Sequence, residues 1–154
     1  MIENLIVSIS NFSCVYPLYL CYKNKDIWSG LAIGFVSTFS ILSHLVENHK
    51  HGMIGIGGFS KETSYILNRF DVLGCGISMV RFGYLYYKKF GWNLYPLFSD
   101  KYLVELAIIS FFFLRISEYD KYNPRLKNRY IITHCIWHIG IFIAMGDFLK
   151  KLIY

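Results

Sequence analysis

The sequence predicts an all-α fold: a multi-pass transmembrane helical bundle of about five spans, each using about 20 apolar residues to cross the hydrocarbon core. Two observations predict it. More than half of the 154 residues are hydrophobic and only 17% are charged, below the roughly 25% of ordinary soluble domains. The hydrophobic residues also come in long runs rather than amphipathic stripes. A chain of this length is expected to form one domain, residues 1–154, entirely transmembrane in character.

Leu5 to Tyr22 carries no acidic or basic residue and reads as a first span, with a kink expected at Pro17. It lacks the basic leader and small-residue cleavage site of a signal peptide, so it is expected to be retained. Lys23 to Asp26 is a polar turn. Ile27 to Val46 is the clearest hydrophobic run and forms the second span. Asn48 to Thr63 is rich in glycine and polar residues and reads as a loop. Tyr65 to Tyr87 is a third, weaker span holding Arg69, Asp71 and Arg81. Tyr102 to Leu114 is a short fourth span, with residues 94–99 as a candidate extension. Arg115 to Arg129 reads as a charged loop, and Tyr130 to Leu149 as the fifth span. Lys150 and Lys151 are placed to anchor its end at the interface.

Composition narrows the function classes. The formal net charge of +6 is scattered over short loops, so no basic patch supports nucleic-acid binding. Cys14, Cys21, Cys75 and Cys135 all fall in expected spans, without a CxxC motif. Each reads as a small buried hydrophobe. Lysines and arginines divide evenly between the two faces, so the positive-inside rule sets no orientation. The expected location is an integral membrane, and the expected partners are its lipids.

Ionisable residues inside spans are costly and mark functional sites. His134 and His138 are four residues apart, slightly more than one helical turn, so both imidazoles share a face. On the second span, Ser40, His44 and Glu47 form another stripe at i, i+4, i+7. Counting five spans brings His44, Asp71, His134 and His138 to similar depth near one membrane face. Three neutral imidazoles with an open fourth position make a catalytic zinc arrangement. Zinc lowers the pKa of bound water to around 7 and polarises a carbonyl. Asp71 is then a candidate to take the proton of that water or to support a histidine, and Ser40 to donate to an oxyanion.

Ser40-x-x-x-His44, Asp71 at the start of the next span, and His134-x-x-x-His138 in the last span together resemble the signature of one membrane superfamily. It holds the alkaline ceramidases, the adiponectin-receptor family, the membrane proteins acting on GPI-anchor lipids, and myomaker. The resemblance implies a helical bundle, usually of seven spans, with zinc on three histidines. It implies His44, His134 and His138 as zinc ligands, and Asp71 and Ser40 as water-positioning and polarising groups. Several members hydrolyse lipid amides or esters. This chain departs from the pattern by its five expected spans, a short segment between Asp71 and His134, and a longer loop after His44.

The leading expectation is therefore a zinc-dependent intramembrane hydrolase of a lipid amide or ester. The rival is a non-enzymatic membrane-interaction or remodelling protein of the same fold with a structural metal. A haem protein fits less well, because haem takes one histidine per face. Other assignments remain beside these. The histidines are also ordinary interhelical hydrogen-bonding residues, and Asp71 a partner for Arg69, Arg81 or Arg115. Glu47 is a candidate ligand or base, though a residue at a span's end is more often solvated. His49 and His51 are candidates for a second site or for replacing His44. Asp147 and Glu105 are expected outside the site.

Overall fold

A computed structural model describes residues 1–48 and 53–153, so His49 and His51 lie outside the described residues. Every regular element among the described residues is helical. The helices are α1 (Ile2–Ser10), α2 (Val15–Lys23), α3 (Ile27–Val46), α4 (Lys61–Phe90), α5 (Tyr95–Phe98), α6 (Lys101–Asp120) and α7 (Lys127–Ile153).

α1 and α2 form one rod joined by a 3-10 turn over Asn11–Cys14. The irregularity therefore lies one turn before Pro17, not at it. Proline has no N–H to give to the carbonyl four residues earlier, here that of Ser13, and the tighter turn accommodates the loss. α3 has the bounds the sequence predicts. Asp26 caps it, accepting from the Ser29 amide at 3.1 Å and the Ser29 hydroxyl at 2.6 Å. Arg81 reaches across from α4 to the same carboxylate at 2.7 Å. Arg81 is thus committed to Asp26, not to Asp71.

α4 runs further than expected at both ends. Ser60 caps it by accepting from the Thr63 amide at 3.1 Å, and Gly91 ends it at a φ of +60°. α6 also departs from expectation. Residues 115–120 continue the helix instead of starting a loop, because their buried members, Ser117 and Asp120, face α7. Asp120 is completely buried and takes two 2.6 Å hydrogen bonds from Arg129, closing the α6–α7 turn. Residues 94–99 do not extend α6. They hold the separate turn α5, and Asp100 restarts the chain by capping α6 at the Leu103 amide. That hydrogen bond, with the Lys151 ammonium beside it, holds the Asp100 carboxyl below the usual carboxylate range.

Among the described residues, three helical stretches are long and apolar enough to cross a membrane: Ile2–Lys23, Ile27–Val46 and Pro124–Ile153. α4, with 30 residues, and α6, with 20, have the length but are less apolar. Both nonetheless turn large hydrophobic residues outward, among them Val72, Val80, Ile108 and Phe112.

Two antiparallel pairs organise the bundle, α3 with α4 and α6 with α7, and the α1–α2 rod packs against both α3 and α7. Small residues let these backbones approach. Gly74 of α4 sits so close to α3 that a Cβ there would meet the Val36 Cα at 2.8 Å. Gly140 of α7 likewise lies against Ser110 of α6. The main core, including Ile33, Val36, Phe82, Tyr86, Phe142 and Leu149, fills the bundle away from the histidines. A smaller cluster of Val7, Met53, Tyr130 and Ile131 closes the histidine end. Gly74→Ala is expected to lower the melting temperature in detergent, at a cost of about 1–3 kcal/mol for overpacking against backbone. Gly76→Ala, with nothing within 4 Å of its Cβ, is expected not to lower it and to raise it slightly, alanine being the better helix former. Scanning fluorimetry of the two variants beside wild type checks the pair.

Candidate metal centre

His44 lies in the last turn of α3, and His134 and His138 lie in the first half of α7. All three are at least nine-tenths buried, with relative exposures of 1%, 6% and 4%. They converge: one ligating nitrogen from each can be chosen so that all lie within 4.8 Å of one another. The Nε2 atoms of His44 and His134 are 3.2 Å apart. Two nitrogens bound tetrahedrally at 2.0–2.1 Å would be about 3.3 Å apart. The cluster could hold a metal ion.

The outer nitrogens are all engaged. His44 Nδ1 lies 3.2 Å from Glu47 Oε2. His134 Nδ1 lies 3.0 Å from the Ser117 hydroxyl, and His138 Nδ1 lies 2.8 Å from the Ser10 hydroxyl. Ser117 donates its own hydrogen to the Leu114 carbonyl, and Ser10 donates to the Val7 carbonyl. While those bonds stand, both hydroxyls can only accept from histidine, and a carboxylate can only accept. The network therefore places the proton of each ring on Nδ1 and leaves the Nε2 lone pair for a metal. Two such lone pairs facing each other at 3.2 Å repel, and a shared cation relieves that repulsion. A porphyrin plane does not fit between them. Asn11 adds a second polar group 3.2 Å from His138 Nδ1, and its buried amide oxygen has no hydrogen-bond partner among the described residues. Turning that amide over would give Nδ1–H a second acceptor and give up the amide's 3.2 Å hydrogen bond to the Val7 carbonyl.

The histidines form the wall of a cavity of about 630 Å³. Ser40 and Asp71 line the same cavity, so the structure brings all five sequence-predicted site residues to one space. From His138 the cavity continues past Phe142 to Phe148, ten residues or about 15 Å along α7. Its far part is apolar, with Val36, Phe82 and Met145 among its walls. Beside the histidines it is polar, with Asn68, Glu118 and Lys121. α4 and α6 are at most grazing neighbours across it.

Other candidates fall elsewhere. Asp147 accepts from the Tyr16 hydroxyl at 2.6 Å and has no part in the cavity, and Glu105 is exposed. Cys14 and Cys21 are buried as expected and Cys135 partly so, but Cys75 is exposed and lines the cavity. Glu47 corrects its expectation most. Instead of being solvated at the span's end, it is 1% exposed and holds His44. α3 stops at Val46, and the chain turns Glu47 inward.

Sequence reasoning also missed Ser10, Asn11, Ser117 and Tyr130. A signal existed for the first helix. Asn4, Ser8 and Asn11 stand at i, i+4, i+7, the same stripe logic that found Ser40 and His44, and all three are buried. Ser117 gave none, because it lay in a segment read as loop.

The chain is 57% identical over 152 residues to the uncharacterized protein L282 of Acanthamoeba polyphaga mimivirus, covering 99% of each chain. No family profile matches the chain, and no solved structure matches it.

Protein purified without chelators and then loaded is expected to bind about one divalent transition-metal ion per chain, as three imidazoles require. The His134→Ala/His138→Ala double variant is expected to bind none. Plasma emission spectrometry of the two preparations measures both.

Proposed function

The chain belongs to the family of the mimivirus protein L282, and we propose that it is a zinc-dependent intramembrane hydrolase of a lipid amide or ester bond. The observation that carries this reading is the joint lining of one cavity. Three histidines with Nε2 lone pairs available, a carboxylate and a hydroxyl stand at the polar end of an otherwise apolar space. The same five residues carry the resemblance to the ceramidase and adiponectin-receptor superfamily, and we extend that kinship to this chain. Zinc fits the donor set, since imidazole suits it and three histidines leave a fourth position open. In this reading α4 and α6 are also spans, making five. Their outward-facing Val72, Val80, Ile108 and Phe112 would otherwise be exposed to water.

Zinc held by the histidines would supply an activated water and a Lewis acid for the carbonyl. The chain's own residues do the rest. The apolar part of the cavity takes an acyl chain lengthwise and excludes bulk water. Asp71 accepts the proton as water adds to the carbonyl carbon, and returns it to the departing amine or alcohol as the C–N or C–O bond breaks. Ser40 donates its hydroxyl to the carbonyl oxygen. The Nδ1 partners hold each imidazole in one orientation throughout.

A second reading draws on the burial of the cluster. Its groups come from α1, α3, α6 and α7, so a bound ion would tie these helices together. A non-enzymatic membrane-interaction or remodelling protein would use the site that way.

Zinc-loaded protein in lipid nanodiscs, assayed by mass spectrometry against ceramides, N-acyl lipids and acyl esters, separates the two. Turnover of at least one class is expected, falling about 10²–10⁴-fold in Asp71→Asn with zinc content unchanged. No turnover of any class by zinc-loaded wild type would leave the structural reading in its place.

A further inference from the structure

We propose that Glu47 is the positioning residue for the metal centre, the carboxylate that orients His44 and raises its strength as a ligand. The inference deepens the zinc reading above and rests on it.

Among the described residues, Glu47 is the carboxylate that meets one of the three Nδ1 atoms, and serine hydroxyls and an amide meet the others. Its Oε2 stands 3.2 Å from His44 Nδ1 and also receives the Tyr130 hydroxyl at 3.2 Å. Nδ1 and Nε2 lie on different edges of the ring, and Nε2 is the atom that faces His134. While it holds Nδ1, the carboxylate stands behind the imidazole and out of reach of an ion at Nε2. That excludes the roles of fourth ligand and of base toward a substrate carbonyl. What it can do is accept the Nδ1–H, hold the ring plane and push electron density toward Nε2.

The surroundings hold Glu47 in place. α3 ends at Val46, so Glu47 sits on backbone that has left the helix. The Asn4 side-chain amide donates to the carbonyls of both His44 and Glu47 at 2.8 Å. One asparagine of α1 thereby fixes the backbone of the ligand and of its orienting carboxylate together. Tyr130 is completely buried and lies one turn before His134, with its ring 5.2 Å from that imidazole. Asn4, Glu47 and Tyr130 thus tie α1, the end of α3 and the start of α7 around one imidazole. Packing alone would be met by an uncharged residue of the same shape, which makes Glu47→Gln the informative change.

Zinc affinity is read by competition with a chromogenic chelator, and ligand geometry by the visible spectrum of the cobalt(II) form. Glu47→Gln is expected to bind zinc about 10–100-fold more weakly and to shift the cobalt bands, with the helical circular dichroism of the metal-free protein unchanged. Equal zinc affinity and an unaltered cobalt spectrum in Glu47→Gln would overturn the assignment. If Glu47→Gln loses its helical signal, Tyr130→Phe decides: about fivefold weaker zinc binding supports it, from one lost hydrogen bond of about 1 kcal/mol, and no change overturns it. Wild type that takes up neither metal overturns the zinc reading itself and this inference with it. Wild type that binds zinc while Glu47→Gln binds it equally well removes only the inference.

Discussion

The structure depends on one constraint: three buried imidazoles must be presented with their Nε2 edges together and their Nδ1 edges satisfied. A buried histidine nitrogen left without a partner costs free energy, and more so in hydrocarbon. Each Nδ1 here is met by a different part of the chain, the end of α3 for His44, α6 for His134, and the α1 end for His138. Those contacts exist only if four helices hold their mutual register. The histidine cluster is therefore as much a statement about the bundle as about the site.

The bundle meets that demand with little machinery. Two tight antiparallel pairs, built on close approaches at Gly74 and Gly140, bring the α3 end and the α7 start to one level. Ion pairs fasten the turns: Arg81 to Asp26 at one end, Arg129 to the buried Asp120 at the other. Between the pairs, α4 and α6 hardly meet, and the cavity occupies the space that a tighter bundle would have filled. The rod of α1 and α2 closes the opposite side. Its Asn4, Ser8 and Asn11 are buried at the histidine level, and beside them the Ser10 hydroxyl meets Nδ1 of His138, a contact an entirely apolar helix would lack.

Much of this is legible in the sequence. The long apolar runs fall on helices, and the bounds of α3 match its run, because its hydrophobicity is unbroken between a polar turn and a glutamate. The spacing of His134 and His138 and the stripe of Ser40 and His44 pointed to the residues that the structure brings together. The misreadings share a cause. Arg115 to Arg129 reads as a charged loop and Glu47 as a solvated span end, yet Asp120 and Glu47 are among the most deeply buried side chains. Sequence shows that a residue is charged but not that its partner is waiting nine residues away, as Arg129 is, or on another helix, as Tyr130 is. Serines are worse still. Ser10 and Ser117 are ordinary helix residues until the neighbouring imidazole is in view.

The placement of the carboxylates also bears on chemistry. Asp71 lines the cavity, whereas Glu47 stands behind His44 and away from it. A site that merely needed negative charge to balance an ion could use either position. Splitting them gives one carboxylate access to whatever occupies the cavity and commits the other to a ligand. The apolar length from His138 to Phe148 extends away from the polar end on one side only, so an amphipathic molecule would enter it in one orientation. Its reactive bond would then lie at the boundary between the two environments, beside Ser40, Asp71 and the three imidazoles. That boundary is where the proposed hydrolysis of a lipid amide or ester would need its polar groups.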